Sequence, residues 1–114
     1  DEYIPIVAGS DCYMNRLVPG FSLHDELALM VEAGMSPREA LQTSTSKAAK
    51  LMKREDVGAI KPGALADLTL LDANPLDDIR NTRRVYATIS DGRLYDRATL
   101  DSLLKHAERA APAE

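Results

Sequence analysis

The 114-residue chain contains a single cysteine, Cys12. One cysteine cannot form an intramolecular disulfide, which excludes a small secreted scaffold held by such bridges and makes a reducing, cytoplasmic setting the expectation. The sequence also lacks a run of about 20 consecutive apolar residues, and its start lacks the basic-then-apolar layout of a signal peptide. We therefore expect no association with a membrane.

Positive charge is also limited. The 14 Lys and Arg residues are outnumbered by 18 Asp and Glu, which gives a formal net charge of -4. Proteins that bind nucleic acid usually carry a basic patch, and neither half of this chain is strongly polarised, so no nucleic-acid partner is expected. The densest basic run, at residues 80–84, is interpreted as a solvated edge.

The length limits the architecture. A chain of 114 residues is long enough for one modest core, but a complete (β/α)8 barrel needs about 250 residues. The sequence begins at Asp1 without an initiator methionine and enters an apolar run within two residues. This beginning is consistent with a trimmed, processed or partial chain.

The first half is predicted to contain one strand followed by three helices. The apolar run Tyr3–Gly9 is typical of a strand buried on both faces in a parallel sheet, and Ser10–Gly20 is predicted to be a loop. The expected helices are one capped by Ser22 and stopped by Gly34, one opened by Ser36-Pro37 with Glu39 completing a capping box, and one that follows Thr43–Ser46 and ends near Lys53.

The second half is predicted to be mainly extended. Three strands are expected before a hairpin turn at Asp91-Gly92, and a short return strand after it. A final amphipathic helix should place four apolar side chains on one face. The first strand is expected to begin at Gly58 and run into a Pro62-Gly63 turn. The others are expected at Ala66–Leu71, Val85–Ile89 and Arg93–Tyr95, and the helix at Ala98–Arg109 with Leu100, Leu103, Leu104 and Ala107 on its apolar face.

Four segments carry a resemblance to a known family by their order and spacing. They are PIVAGSD at 5–11, PGFSLHDEL at 19–27 continuing into EAGMSPREAL at 32–41, GAIKPGALADL at 58–68, and LDANPL at 71–76. Together they resemble the C-terminal part of a metal-dependent amidohydrolase of the imidazolonepropionase-like and Xaa-Pro dipeptidase-like branch.

The resemblance implies an α/β fold, a C-terminal fragment of a distorted (β/α)8 barrel together with strands of a small composite β-sandwich. Residues 1–57 would supply the last barrel strand, the active-site loop and the following helices. Residues 58–96 would supply the sandwich strands, and residues 97–114 a C-terminal helix and a frayed tail. A longer chain, a second chain or a homo-oligomer would then have to complete the barrel.

The resemblance also implies hydrolysis of a C–N bond in a cyclic amide, a lactam, a dipeptide or a related small molecule by a metal-activated water. Asp11 would contact the divalent metal, usually zinc, and accept a proton from the attacking water. Its position directly after a predicted strand agrees with the face on which barrel enzymes place their chemistry. Without the other segments, the preferred interpretation of Asp11 is a turn or helix-start aspartate that satisfies backbone donors.

The sequence supplies only one of the roughly three protein ligands that a catalytic zinc needs. The family's paired histidines and its metal-bridging lysine have no counterpart here, so the remaining ligands are expected outside this chain, which alone should be inactive. An alternative from another functional class is a non-catalytic α+β binding or scaffold module that keeps the same elements.

Three further side chains are candidates for contact with the substrate: Tyr13, Arg16 and His24. The Arg16 guanidinium can form a fork of hydrogen bonds onto a carboxylate. For Tyr13 and Arg16 the alternative is a loop packed by its own side chains. For His24 it is a surface or interfacial position, because the positive end of a helix disfavours a protonated imidazole. Cys12 is either a ligand or reactive thiol, or a small buried apolar residue.

Overall fold

The computed structural model describes residues 4–11, 17–18 and 20–110. Over these residues the chain forms three helices, then an antiparallel sheet interrupted by a 3-10 helix, then a last helix. The elements are α1 (Ser22–Glu32), α2 (Pro37–Thr43), α3 (Ser46–Leu51), β1 (Leu68–Leu71), the 3-10 helix (Ile79–Arg83), β2 (Val85–Ser90), β3 (Arg93–Tyr95) and α4 (Arg97–Ala110). The predicted frayed tail lies outside the described residues.

The start of α2 follows the predicted capping box. The Ser36 hydroxyl accepts a hydrogen bond from the Glu39 N–H at 3.2 Å, and the Glu39 carboxylate accepts one from the Ser36 N–H at 2.9 Å. Pro37 occupies the first helical position, where its missing N–H has no intrahelical partner to lose. The Ser36 hydroxyl also donates to the Glu39 carboxylate at 2.6 Å, and this bond together with the one from the Ser36 N–H lowers the pKa of the Glu39 carboxyl. The prediction for this helix start is confirmed.

The predicted cap of α1 is wrong. The helix begins at Ser22 itself, and Phe21 occupies the N-cap position without a side-chain cap. Ser22 is buried, and its hydroxyl bonds to the Ser10 hydroxyl at 3.0 Å. The Ser22 hydroxyl, which the local pattern predicted to cap the helix, therefore makes a long-range contact instead.

The strand predicted at Tyr3–Gly9 is absent from the described residues 4–9. Ile4 and Ile6 are 78% and 51% exposed, although the prediction buried both faces. A parallel strand requires neighbouring strands to bond with, and the part of the chain that the structure describes places none beside this segment. The Ala8 N–H donates instead to the Thr43 carbonyl of α2, at 3.2 Å.

The sheet is an antiparallel meander in the order β1-β2-β3. Leu68 pairs with Ile89, Thr88 pairs with Tyr95, and the β1 register shifts between Leu70 and Leu71. The turn from β2 to β3 has left-handed φ values of 50° at Asp91 and 75° at Gly92, which is the backbone of the type I′ turn that matches strand twist. The hairpin prediction is confirmed.

The short strand predicted to begin at Gly58 and run into a Pro62-Gly63 turn does not form: residues 58–59 are bent and residues 60–61 have no regular structure. The turn predicted at Pro62-Gly63 is confirmed. Gly58 has a φ of 80°, and a Cβ built on it would lie 2.7 Å from the Ala49 Cβ and 2.8 Å from the Thr45 carbonyl oxygen. The loop after α3 thus folds back onto that helix at a point where a side chain does not fit.

The core joins the helices to the 3-10 helix. Leu27 of α1, Ala40 of α2 and Ile79 of the 3-10 helix are buried together. Outside this core, Arg80 pairs with Glu32 at 2.8 Å and Arg83 pairs with Asp25. The basic run interpreted as a solvated edge is therefore exposed but paired with α1. The division at residue 57 stays a prediction.

The amphipathic face of α4 remains largely open. Leu103 and Leu104 are 53% and 44% exposed, and together with Phe21 and Val85 they line a groove of about 480 Å³. Among the described residues, no helix has the length and apolar character needed to cross a bilayer.

We predict that Gly58→Ala destabilises the fold by about 2–4 kcal/mol, because the left-handed backbone and the contact with α3 both oppose a Cβ. Gly63→Ala is the matched control. Gly63 has a φ of 85°, but no atom lies within 4 Å of the position that a Cβ would take, so this variant should lose only about 1 kcal/mol. Urea unfolding of both variants measures the difference, and equal losses would contradict the close approach of Gly58 to α3.

Candidate functional site

The segment before Asp11 is held by hydrogen bonds to two helices. The Gly9 N–H donates to the Glu26 Oε1 of α1 at 2.9 Å, next to the bond between Ala8 and Thr43. Ser10 follows with its hydroxyl on that of Ser22. Three successive residues are thus bonded to α1 or α2, so these helices fix the position of the backbone that leads into Asp11.

Asp11 is exposed and has a φ of 44°. Positive φ is uncommon outside glycine, and aspartate is one of the residues that tolerate it best. This backbone fits both interpretations, the turn aspartate and the site carboxylate, so the role of Asp11 stays a prediction.

Glu26 was not singled out by the sequence, where it is one of two acidic residues in the first turns of α1. Its Oε1 accepts the Gly9 N–H, while its Oε2 is buried without a hydrogen-bond partner among the described residues. A buried carboxylate oxygen without a donor is costly. The bond to Oε1 fixes the backbone two residues before Asp11, whereas the buried Oε2 lowers the stability of the fold.

Thr43, the last residue of α2, provides the contact of this segment with that helix. It is fully buried, and its hydroxyl donates to the Ala40 carbonyl at 2.6 Å and lies 3.4 Å from the Met30 sulfur. The sequence marked Thr43 only as the point where a helix breaks. The break frees the Thr43 carbonyl to accept the Ala8 N–H.

His24 lies between α1 and the 3-10 helix. Its Nδ1 is 3.0 Å from the Thr82 Oγ1, and Thr82 uses its hydroxyl hydrogen on the Ile79 carbonyl at 2.9 Å. Thr82 must therefore accept from the His24 Nδ1–H, which leaves Nε2 as the acceptor of the neutral ring. This contact places the imidazole at an interface, and its contact with substrate stays a prediction.

Burial lowers the pKa of His24 below its ordinary value of 6.5, and the neighbouring Arg83 lowers it further, while Asp25 opposes the shift. The neutral imidazole is consequently favoured near pH 7. A neutral ring is also what the first turn of a helix prefers, because the helix dipole is positive there.

The other predicted site residues, Tyr13 and Arg16, lie outside the described residues, as does Cys12. Within residues 4–11, 17–18 and 20–110, no group of three or more His, Cys, Asp or Glu side chains could hold a metal ion. Asp11 offers one exposed carboxylate, a donor that zinc accepts. It can contribute to a metal centre but does not form one with the described side chains.

Comparison with known proteins gives a consistent result. The sequence model of the amidohydrolase family matches residues 1–95. An imidazolonepropionase from Streptomyces coelicolor is 54% identical over 48 residues, which cover 41% of this chain and 12% of the relative.

Two solved structures share the fold and a substantial part of the sequence. A Xaa-Pro dipeptidase with methionine bound in its active site has a TM-score of 0.61 and 42% identity, covering 64% of this chain and 18% of its own. Molinate hydrolase has a TM-score of 0.69 and 30% identity, covering 87% and 20%. The chain therefore spans between 12% and 20% of the length of these relatives.

We predict that protonation of His24 destabilises the fold. Because the folded-state pKa lies below 6.5, the unfolded chain takes up a proton in a window just under pH 6.5 that the folded chain does not. The free energy of unfolding should therefore fall as the pH drops through this window. Above the window, the titration of His24 should add nothing to the pH dependence of stability.

His24→Asn retains an N–H near the position of Nδ1 but does not titrate, so it should remove this part of the pH dependence. His106→Asn is the control, because His106 is the second of the two histidines and is exposed on α4. Urea unfolding between pH 5 and pH 8 gives the slopes. A wild-type slope in the His24→Asn variant would contradict the prediction.

Proposed function

The chain belongs to the amidohydrolase family, and from this premise we propose that it is the C-terminal part of a metal-dependent hydrolase. The proposed reaction is the hydrolysis of a C–N bond in a small amide, lactam or dipeptide. The family match over residues 1–95 supports the class of chemistry, and the similarity to a Xaa-Pro dipeptidase supports a substrate of this size.

The observation that carries the proposal is the anchoring of the backbone before Asp11. Catalytic groups have to be held within fractions of an ångström of their working positions. The hydrogen bonds from Ala8, Gly9 and Ser10 to the helices provide such a hold.

In this proposal the Asp11 carboxylate accepts a proton from the attacking water and contributes one metal ligand. The divalent metal, proposed to be zinc, supplies Lewis acidity toward the carbonyl and lowers the pKa of water. Glu26 holds the Gly9 N–H and so fixes the direction in which the chain enters Asp11. The other ligands come from the barrel strands of a longer or a second chain.

Substrate contacts are proposed for Tyr13, Arg16 and His24. Tyr13 and Arg16 follow Asp11 within five residues, and a guanidinium suits a substrate carboxylate. For His24 only Nε2 is available, because Nδ1 is engaged with Thr82.

We expect the 114-residue chain alone to show no hydrolase activity, because one carboxylate does not hold a catalytic metal. The measurement is turnover of a panel of dipeptides and lactams with zinc added. Native mass spectrometry with metal analysis should show no stoichiometric zinc on the isolated chain. Turnover by the pure chain would overturn the proposal that other strands are needed.

In the assembly that completes the barrel, Asp11→Asn should lower kcat/KM about a hundredfold or more, because it removes the base and weakens a metal ligand. Asp77→Asn is the control, a matched change at an exposed aspartate in the turn before the 3-10 helix. Zinc content is measured on the same samples. Full activity in Asp11→Asn would exclude Asp11 from catalysis.

A further inference from the structure

The lysines of this acidic chain are concentrated in one short region. Four of the five, Lys47, Lys50, Lys53 and Lys61, lie within residues 47–61. That region contains five basic and two acidic side chains, whereas the rest of the chain contains nine basic and 16 acidic ones. Comparing the two halves of the sequence hides this contrast, because the acidic residues before Lys47 offset the lysines.

The end of α3 brings two of these lysines together. The Lys53 N–H donates to the Lys50 carbonyl at 3.1 Å, and the Arg54 N–H donates to the Ala49 carbonyl at 2.9 Å. This pair of bonds is the Schellman arrangement that closes a helix. Because these bonds satisfy the carbonyls of the last turn, the lysines are not required to satisfy them.

The following loop returns Lys61 to the same place. Gly58 approaches Ala49 closely enough to exclude a Cβ, and the Leu65 N–H donates to the Asp56 carbonyl at 2.7 Å. The loop is therefore closed against α3. Lys61, eleven residues after Lys50 in the sequence, lines the same cavity.

This cavity has a volume of about 530 Å³, and its charged lining consists of Lys50, Lys53, Arg54, Lys61 and a single carboxylate, Glu55. Arg54 is occupied by Asp56 through two hydrogen bonds of 2.7 and 2.6 Å. In the described part of the chain the three lysines form no ion pair within 4.0 Å. Three exposed lysines thus line one volume without an ion pair of their own, although the Asp56 carboxylate that pairs with Arg54 also interacts electrostatically with Lys61.

We propose that this lysine cavity binds a small multivalent anion of the phosphate class. Sites for small molecules commonly have volumes of roughly 300–1,000 Å³, so the cavity is large enough for more than a single ion. The available cations are lysines, which act as point charges toward phosphate oxygens, while the planar guanidinium fork that matches a carboxylate is already engaged.

Lys53 adds a second observation. It has a φ of 55° at the position after the helix where glycine is favoured. A lysine there costs stability that a glycine would not. The proposal gives this choice a reason, since glycine would remove one of the three charges of the cavity.

The test measures the binding of inorganic pyrophosphate at low salt, by calorimetry and by changes in amide chemical shifts. We expect saturable binding, with shifts centred on Lys50, Lys53 and Lys61 and an affinity that falls as salt is added. The double variant K50Q/K61Q should lose affinity about tenfold or more, because two charged contacts are removed. Lys105→Gln, which changes the fifth lysine, should bind as the wild type does.

Lys53→Gly separates binding from folding. It should bind pyrophosphate more weakly and yet unfold at the same or a higher urea concentration than the wild type. Equal affinities of K50Q/K61Q and wild type, or an equal loss in Lys105→Gln, would overturn the proposal. Citrate binding as tightly as pyrophosphate would overturn the phosphate class. Binding to a single-stranded oligonucleotide but not to pyrophosphate would overturn a small-molecule ligand.

Discussion

The hydrogen bonds from residues 8–10 to α1 and α2 are the interactions on which the candidate site depends. In a sheet, the backbone groups of such a segment would bond to neighbouring strands. Here the Ala8 N–H bonds to a helix carbonyl, and the Gly9 N–H bonds to the Glu26 carboxylate. Any movement of α1 would be passed to Asp11 through two peptide units. The site is therefore only as rigid as the packing of the helix that holds it.

That packing comes from the contacts of α1 with the 3-10 helix. Ser22 and Glu26 bond to the segment before Asp11, whereas His24, Asp25 and Glu32 contact the 3-10 helix. The exposed ion pairs add little individually, and most of the stabilisation comes from the buried contact of Leu27 and Ile79. One helix thus joins the segment before Asp11 to the 3-10 helix.

The parts of the fold that local chemistry determines could be predicted from the sequence. The capping box at Ser36 and the turn at Asp91-Gly92 depend on residues within four positions of each other, and both are confirmed. The errors concern groups whose partners are distant. The Ser22 hydroxyl bonds to Ser10 rather than to its own helix, and Gly58 turns where the chain meets Ala49. A short pattern contains no information on either contact.

The same distinction separates the two sites. A catalytic metal centre collects its ligands from several strands, so a chain that supplies one of them shows only a carboxylate after an apolar run, and only the family resemblance singled out Asp11 as the proposed ligand. Glu26 gave no signal, because an acidic residue in the first turn of a helix is already explained by the dipole. The lining of the lysine cavity lies within residues 46–61, and counting charges over a window of that length would have revealed the cluster of lysines. All the residues that line the lysine cavity belong to this chain, so its ligand can be tested on these 114 residues, whereas the proposed role of Asp11 has to be tested in the proposed complete barrel.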